Sequence, residues 1–184
     1  MAPALILIDI QTGFDAPVWG IRNNPEAEAR AGALLRAWRD RDAPVVHIRH
    51  VSTEPGSPLA GEGTAFKPEV APSDGEVIFE KSVNSAFIGT GLEGHLHGIG
   101  AKRLVICGLT TPHCVSTTAR MAANLGFDVV LAHDACAAFT SNADMGWTHG
   151  PALTAEEIHR GAIAHLHGEF VTARSTAEVL EALP

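Results

Sequence analysis

The chain has 184 residues, 46% hydrophobic and 18% charged, a globular composition in a chain long enough to bury a layered core. Its 13 basic and 21 acidic residues give a net charge of −8, which argues against the basic footprint of a nucleic-acid binder. No window approaches the ~20 apolar residues of a membrane span, and no charged leader precedes an apolar stretch at the amino terminus. The reading is one domain over 1–184, soluble and cytoplasmic, without nucleic-acid or membrane partners. Cys107, Cys114 and Cys136 are odd in number and lack C-x-x-C spacing, so they support neither a disulfide framework nor a zinc ribbon. A single reactive thiol is what they leave open.

Strand-like and helix-like segments alternate along the whole chain. Ala4 to Asp9 is almost wholly apolar, as expected of a strand covered on both faces. Asn24-Pro25 reads as a helix N-cap followed by proline at the first helical position. Ala27, Ala31, Leu34, Leu35 and Trp38 then form one helical stripe, which Pro44 closes before a strand over Val45 to Val51. Residues 52–75, rich in proline and glycine, read as a long surface excursion and a substrate lid. Val77 to Phe79 is predicted as a third strand, Gly91 to Gly98 as a short helix and Arg103 to Cys107 as a fourth strand. A helix over Pro112 to Leu125 and a strand over Phe127 to Ala132 follow. Thr154-x-x-Glu157 and Ser175-x-x-Glu178 are capping boxes opening the last two helices, with a sixth strand over Glu169 to Ala173 between them. The predicted fold is a three-layer α/β/α, Rossmann-like domain with a mostly parallel sheet of five to six strands.

Ligands of such sheets sit beyond the carboxyl ends of the strands, which directs attention to three places. Asp9 closes an apolar strand, where a carboxylate is costly to desolvate unless paired or used. Lys81 follows the third strand. Cys114 lies between a buried strand and a small-residue helix, at a helix amino terminus whose unpaired N–H groups favour thiolate and could receive an oxyanion. Cys107, mid-strand, and Cys136 read as structural thiols. Phe14, Trp19, Phe87 and Trp147 could wall an apolar pocket, with Gln11 beside them in the first strand's exit loop and His113 lining the site next to the nucleophile.

Asp9 in LILIDIQTGF, Lys81 in FEKSVNSAFIGTGL and Cys114 in VICGLTTPHCVSTTARMAANLGFDVVLAHDACAAF occur in that order over nearly the whole chain. Together they resemble the isochorismatase-like cysteine hydrolases, a superfamily that includes nicotinamidases and N-carbamoylsarcosine amidohydrolases. The resemblance implies an Asp-Lys-Cys triad. Cys114 would attack a carbonyl carbon to form a thioester, with Asp9 as base and Lys81 holding the charge balance. It further implies a cis peptide at Leu109-Thr110, backbone N–H groups of Thr110 and Cys114 as the oxyanion site, and a homo-oligomer, dimer or tetramer. The reaction implied is cleavage of an amide, carbamoyl or ureido C–N bond in a small molecule, with no cofactor. The alternatives are a vinyl-ether hydrolase of the isochorismatase type and a small-molecule binding or thiol-redox module.

Two other signals carry little. Gly89-Thr90-Gly91-Leu92-Glu93-Gly94 matches a dinucleotide-binding pattern, yet it begins well beyond the strand and no acidic residue closes the next one. Ten histidines raise the question of a metal, but His47 and His50, three apart in a strand, point to opposite faces, and the D-x-H ligand set of nicotinamidases is missing after the second strand. No metal is expected, and His50 is placed at the pocket mouth.

Overall fold

The computed structural model describes residues 2–183. A six-stranded sheet forms the middle layer: β1 (Ala4–Ile8), β2 (Val45–His50), β3 (Val77–Lys81), β4 (Arg103–Leu109), β5 (Asp128–Ala137) and β6 (Thr172–Arg174). The order is β3-β2-β1-β4-β5-β6 and every pairing is parallel. Parallel strands need crossovers, and the helices supply them: α1 (Ala27–Arg39), α2 (Leu92–Gly98), α3 (Ser116–Asn124), α4 (Ala155–Leu166) and α5 (Thr176–Glu181). α1 packs with α5, and α3 packs with α4. β1 is buried along its whole length because it lies at the centre, between β2 and β4. Ala31, Leu34, Leu35 and Trp38 of α1 are fully buried against the sheet, and the Trp38 indole N–H donates to the Pro3 carbonyl at 2.7 Å.

Four local expectations are corrected. Asn24 is not a helix cap: its backbone is left-handed at φ 42° and its amide donates 2.8 Å to the Cys136 carbonyl, so the chain enters α1 only at Ala27. β5 runs on to Ala137, because Leu131 pairs with Ile106 while Cys136 pairs with Gly108, and the intervening residues bulge. His133 and Asp134 hide this extension from a hydrophobic pattern. Asp134 is polar because it receives the Thr176 N–H and hydroxyl at 2.7 Å each and the Arg30 guanidinium at 2.8 Å, tying α5 and α1 to the sheet. β6 begins at Thr172 and not at Glu169, since Gly168 at φ 89° and the Phe170 N–H to Leu166 carbonyl bond form a turn first. The helix predicted from Pro112 instead opens with a π-helical turn over Thr111–Val115, and α3 proper starts at Ser116.

Three strand ends are brought together by register. Ile8 pairs with both Ile48 and Gly108, and His50 pairs with Lys81, so Asp9, His50, Lys81 and the segment after Leu109 emerge side by side. Gly108 makes the β1–β4 approach possible: at φ 131°, a Cβ there would sit 2.0 Å from the Ile8 carbonyl oxygen. The excursion between β2 and β3 is fastened down. The Lys67 ammonium donates to Asp15 at 2.6 Å and to Glu28 at 2.9 Å, and Arg22 grips the same Glu28 at 2.7 and 2.9 Å.

Gly108→Ala is expected to cost about 3 kcal/mol, since it adds both a backbone conformation that L residues avoid and a clash with main chain. Chemical denaturation compared with a Gly126→Ala control, where a Cβ meets nothing within 4 Å despite φ 89°, separates the clash from the conformation.

Candidate active site

Asp9, the residue after β1, is fully buried with φ 51°, a left-handed backbone seldom taken by a non-glycine residue. Its Oδ2 accepts from Lys81 Nζ at 2.6 Å, and both side chains are withdrawn from water. Lys81 is the last residue of β3, its side chain on the same face of the strand as those of Val77 and Phe79. Its ammonium also donates to His50 Nδ1 at 3.0 Å and to Cys114 Sγ at 3.3 Å. The three N–H bonds of the ammonium thus meet three acceptors. The Cys114 thiol reaches Asn84 Oδ1 at 3.7 Å.

The electrostatics follow from burial. Desolvation lifts the Asp9 carboxyl to about 6, against the opposing pull of Lys81. The Cys114 thiol is pushed up to about 12, first by burial and then by the Asp9 carboxylate, with Lys81 opposing both. This runs against the expectation of a thiol acidified by a helix end: Cys114 lies buried in the wide turn before α3, and burial, then the Asp9 carboxylate, hold its proton on. The resting thiol is protonated beside a base. His50 is held down to about 4 by burial and then by Lys81, so its imidazole is neutral, with Nδ1 accepting and Nε2 carrying the proton.

Donor atoms of Asp9, His50 and Cys114 lie within 4.8 Å of one another, close enough to hold a metal ion. The Lys81 ammonium contacts all three, so a cation would have to displace it. His47 points the other way, as its spacing requires, to Glu76 at 2.9 Å.

The Leu109–Thr110 peptide is cis, as the family resemblance implies. The Thr110 carbonyl accepts from the His113 and Val115 N–H groups, at 3.2 Å each, which flank Cys114. A cavity of about 250 Å³ opens above the thiol. Of the predicted pocket residues, Phe14, Trp19 and His113 line it, together with Thr110 and Cys114. Phe14 and Trp19 pack at 5.0 Å between ring centroids, with Phe139 behind them at 5.9 Å from Phe14.

Three predicted contacts lie elsewhere. Gln11 is buried beneath the site: its amide donates to the His50 carbonyl at 2.9 Å and accepts the His50 N–H at 2.7 Å, clamping β2 to the β1 exit. Phe87 belongs to the core, stacked on Phe127 at 6.2 Å, because the turn after Lys81 tucks it under α3. Trp147 is 81% exposed in the loop before α4 and lines no part of the cavity. Sequence reasoning missed Asn84 and Ser82 after β3 and Asn142 after β5, while Ser52, Thr53, Glu54, Ser57 and Leu59 come from the excursion read as a lid, without having been singled out. The signal for Ser82, Asn84 and Asn142 was proximity to strand ends. Cys107 and Cys136 are fully buried, and the Cys136 thiol bonds the Ala132 carbonyl at 3.4 Å.

Residues 3–178 match the family model of the isochorismatase domain. The chain belongs to the isochorismatase family. An isochorismatase-family protein from Chromobacterium violaceum has the same fold, with a TM-score of 0.92 and 47% identity over 98% of this chain and 92% of that one. The isochorismatase family protein YrdC of Bacillus subtilis is 46% identical over 96% of this chain and 94% of its own length. Among relatives with a stated reaction, maleamate amidohydrolase of Pseudomonas putida is 33% identical over 72% of this chain and 70% of its own. The corresponding values for streptothricin hydrolase of Streptomyces noursei are 36%, 74% and 50%. The chain is thus a member of a hydrolase family in which some relatives cleave amides.

Replacing Asp9 with Asn removes the anion that holds the Cys114 proton while leaving Lys81 to face the thiolate. The pH midpoint for alkylation of Cys114 by iodoacetamide, followed by peptide mass spectrometry, is expected to fall in Asp9→Asn relative to the parent.

Proposed function

We propose that the protein is a cysteine hydrolase that cleaves a C–N bond of a small amide, carbamoyl or ureido compound. The observation that carries this reading is the single ammonium of Lys81, which touches both the Asp9 carboxylate at 2.6 Å and the Cys114 sulfur at 3.3 Å on the cavity floor. In the acylation step the Cys114 proton passes to Asp9 as sulfur bonds to the carbonyl carbon. Lys81 then faces the thiolate character that develops, in a site where water does not screen it. The carbonyl oxygen takes up negative charge beside the Thr110 and Cys114 backbone, the candidate oxyanion site. Collapse breaks the C–N bond, and the leaving nitrogen takes the proton from Asp9, leaving a thioester. Water attacks the thioester, giving its proton to Asp9; the thiolate departs and is reprotonated. Asp9, raised to about 6, is matched to this exchange near neutral pH.

The cavity of about 250 Å³ suits a small substrate, with Phe14 and Trp19 as an apolar wall for a planar group. A redox module would need a resolving thiol at Cys114, and the other two cysteines are sealed inside the sheet. We further propose a homo-oligomer.

Cys114→Ala is expected to lower ammonia release from a substrate found by amide screening by about a thousandfold or more while leaving the fold intact by circular dichroism. Hydroxylamine added during turnover by the parent should divert the thioester to a hydroxamate. A fully active Cys114→Ala would sink the mechanism.

Asp9 must be ionised to accept the thiol proton, so kcat/KM is expected to fall as pH drops through about 6. A stopped assay across pH 4.5 to 8 reads this limb directly, and its midpoint should lie above the ordinary carboxylate range.

A further inference from the structure

We propose that the cavity selects neutral or cationic amide-type substrates and rejects those that carry a carboxylate, with Glu54 as the specificity-determining side chain. The inference rests on the amide-cleaving reading above and deepens it to a substrate class. No Lys or Arg lines the cavity among the described residues. The one cation beneath it, Lys81, has its N–H donors committed to Asp9, His50 and Cys114, and its charge is matched by Asp9. A substrate carboxylate would therefore leave water without meeting a free positive partner.

The two imidazoles facing the cavity do not supply that partner. His50 accepts a hydrogen bond from Lys81 and so cannot also be protonated at Nδ1. His113 is exposed at the cavity wall, and the partial desolvation there holds it below the ordinary histidine range. Glu54, on the excursion just after β2, is thus the remaining unmatched charge in the lining, and it makes no ion pair among the described residues. A sphere holding 250 Å³ is only about 8 Å across, so a second charge inside has the exposed Glu54 in its wall. The rest of the polar lining is hydroxyl and carboxamide: Ser52, Thr53, Ser57, Ser82, Asn84 and Asn142. Such groups both donate and accept, which matches a neutral amide or urea.

Iodoacetamide and iodoacetate test this directly. They are close in shape, and each transfers its CH₂ carbon to the same thiolate with loss of iodide, so their rate ratio at Cys114 cancels any change in thiol acidity. Peptide mass spectrometry reads Cys114 apart from buried Cys107 and Cys136, and N-acetylcysteine gives the intrinsic ratio. The parent is expected to favour iodoacetamide by about tenfold more than the free thiol does, and Glu54→Gln to remove most of that excess. Bromoethylamine, a cationic alkylator, should slow in Glu54→Gln relative to the parent.

An equal ratio, a preference for iodoacetate, or a Glu54→Gln variant that keeps the full excess would overturn the proposal. Labelling needs no turnover, so it is separable from the reaction itself. If succinamide, succinamate and every other amide tried release no ammonia, the hydrolase reading fails on its own. Should succinamate be turned over faster than succinamide, hydrolysis stands and the charge selection is overturned.

Discussion

The Lys81 ammonium sits out of water with Asp9 at 2.6 Å, His50 at 3.0 Å and Cys114 at 3.3 Å around it, and the geometry of the site is set by those three bonds. A buried ion pair is expensive to assemble, and removing one partner leaves an uncompensated charge at a cost of about 3–5 kcal/mol. Here the arrangement keeps the carboxylate ionised near neutrality despite complete burial, fixes the imidazole in one tautomer and points the sulfur at the cavity. Proton affinity in the pair of Asp9 and Cys114 is thereby divided so that the thiol holds the proton at rest beside an ionised carboxylate.

The sheet provides the rigidity this contact needs. Asp9 follows the most buried strand, flanked by β2 and β4, and the glycine at 108 lets those backbones close on one another. Gln11 then ties His50 to the same exit with two hydrogen bonds. Side chains at the ends of parallel strands are held by pairing on either side, which is why the fold can keep four polar groups in register with little freedom.

Asp9, Lys81 and Cys114 were legible because each interrupts or follows a short apolar run, and their order along the chain matches one family. The alternation of strands and helices and the capping boxes at Thr154 and Ser175 were similarly local, and both boxes form as read. What escaped the sequence depends on contacts between distant segments. His50 was placed at the pocket mouth, but its bond to the Lys81 ammonium depends on the pairing of β2 with β3. Asn24 reads as a helix cap and Asp134 as an ordinary polar residue until their partners, Cys136 and Thr176, are known. Phe87 and Trp147 were both aromatic residues in connecting loops, and one turned into the core while the other stayed in solvent. Hydrophobicity alone does not tell these outcomes apart.

The fastening at Lys67 divides the excursion into two parts with different burdens. Beyond it the chain is pinned to Asp15 and Glu28, and before it the stretch from Ser52 to Leu59 leans over the cavity. Leu59 closes that stretch from within the small core it shares with Phe14 and Leu109, whereas Thr53 and Glu54 face solvent. Substitutions at those two exposed positions change what an entering ligand meets without touching that core.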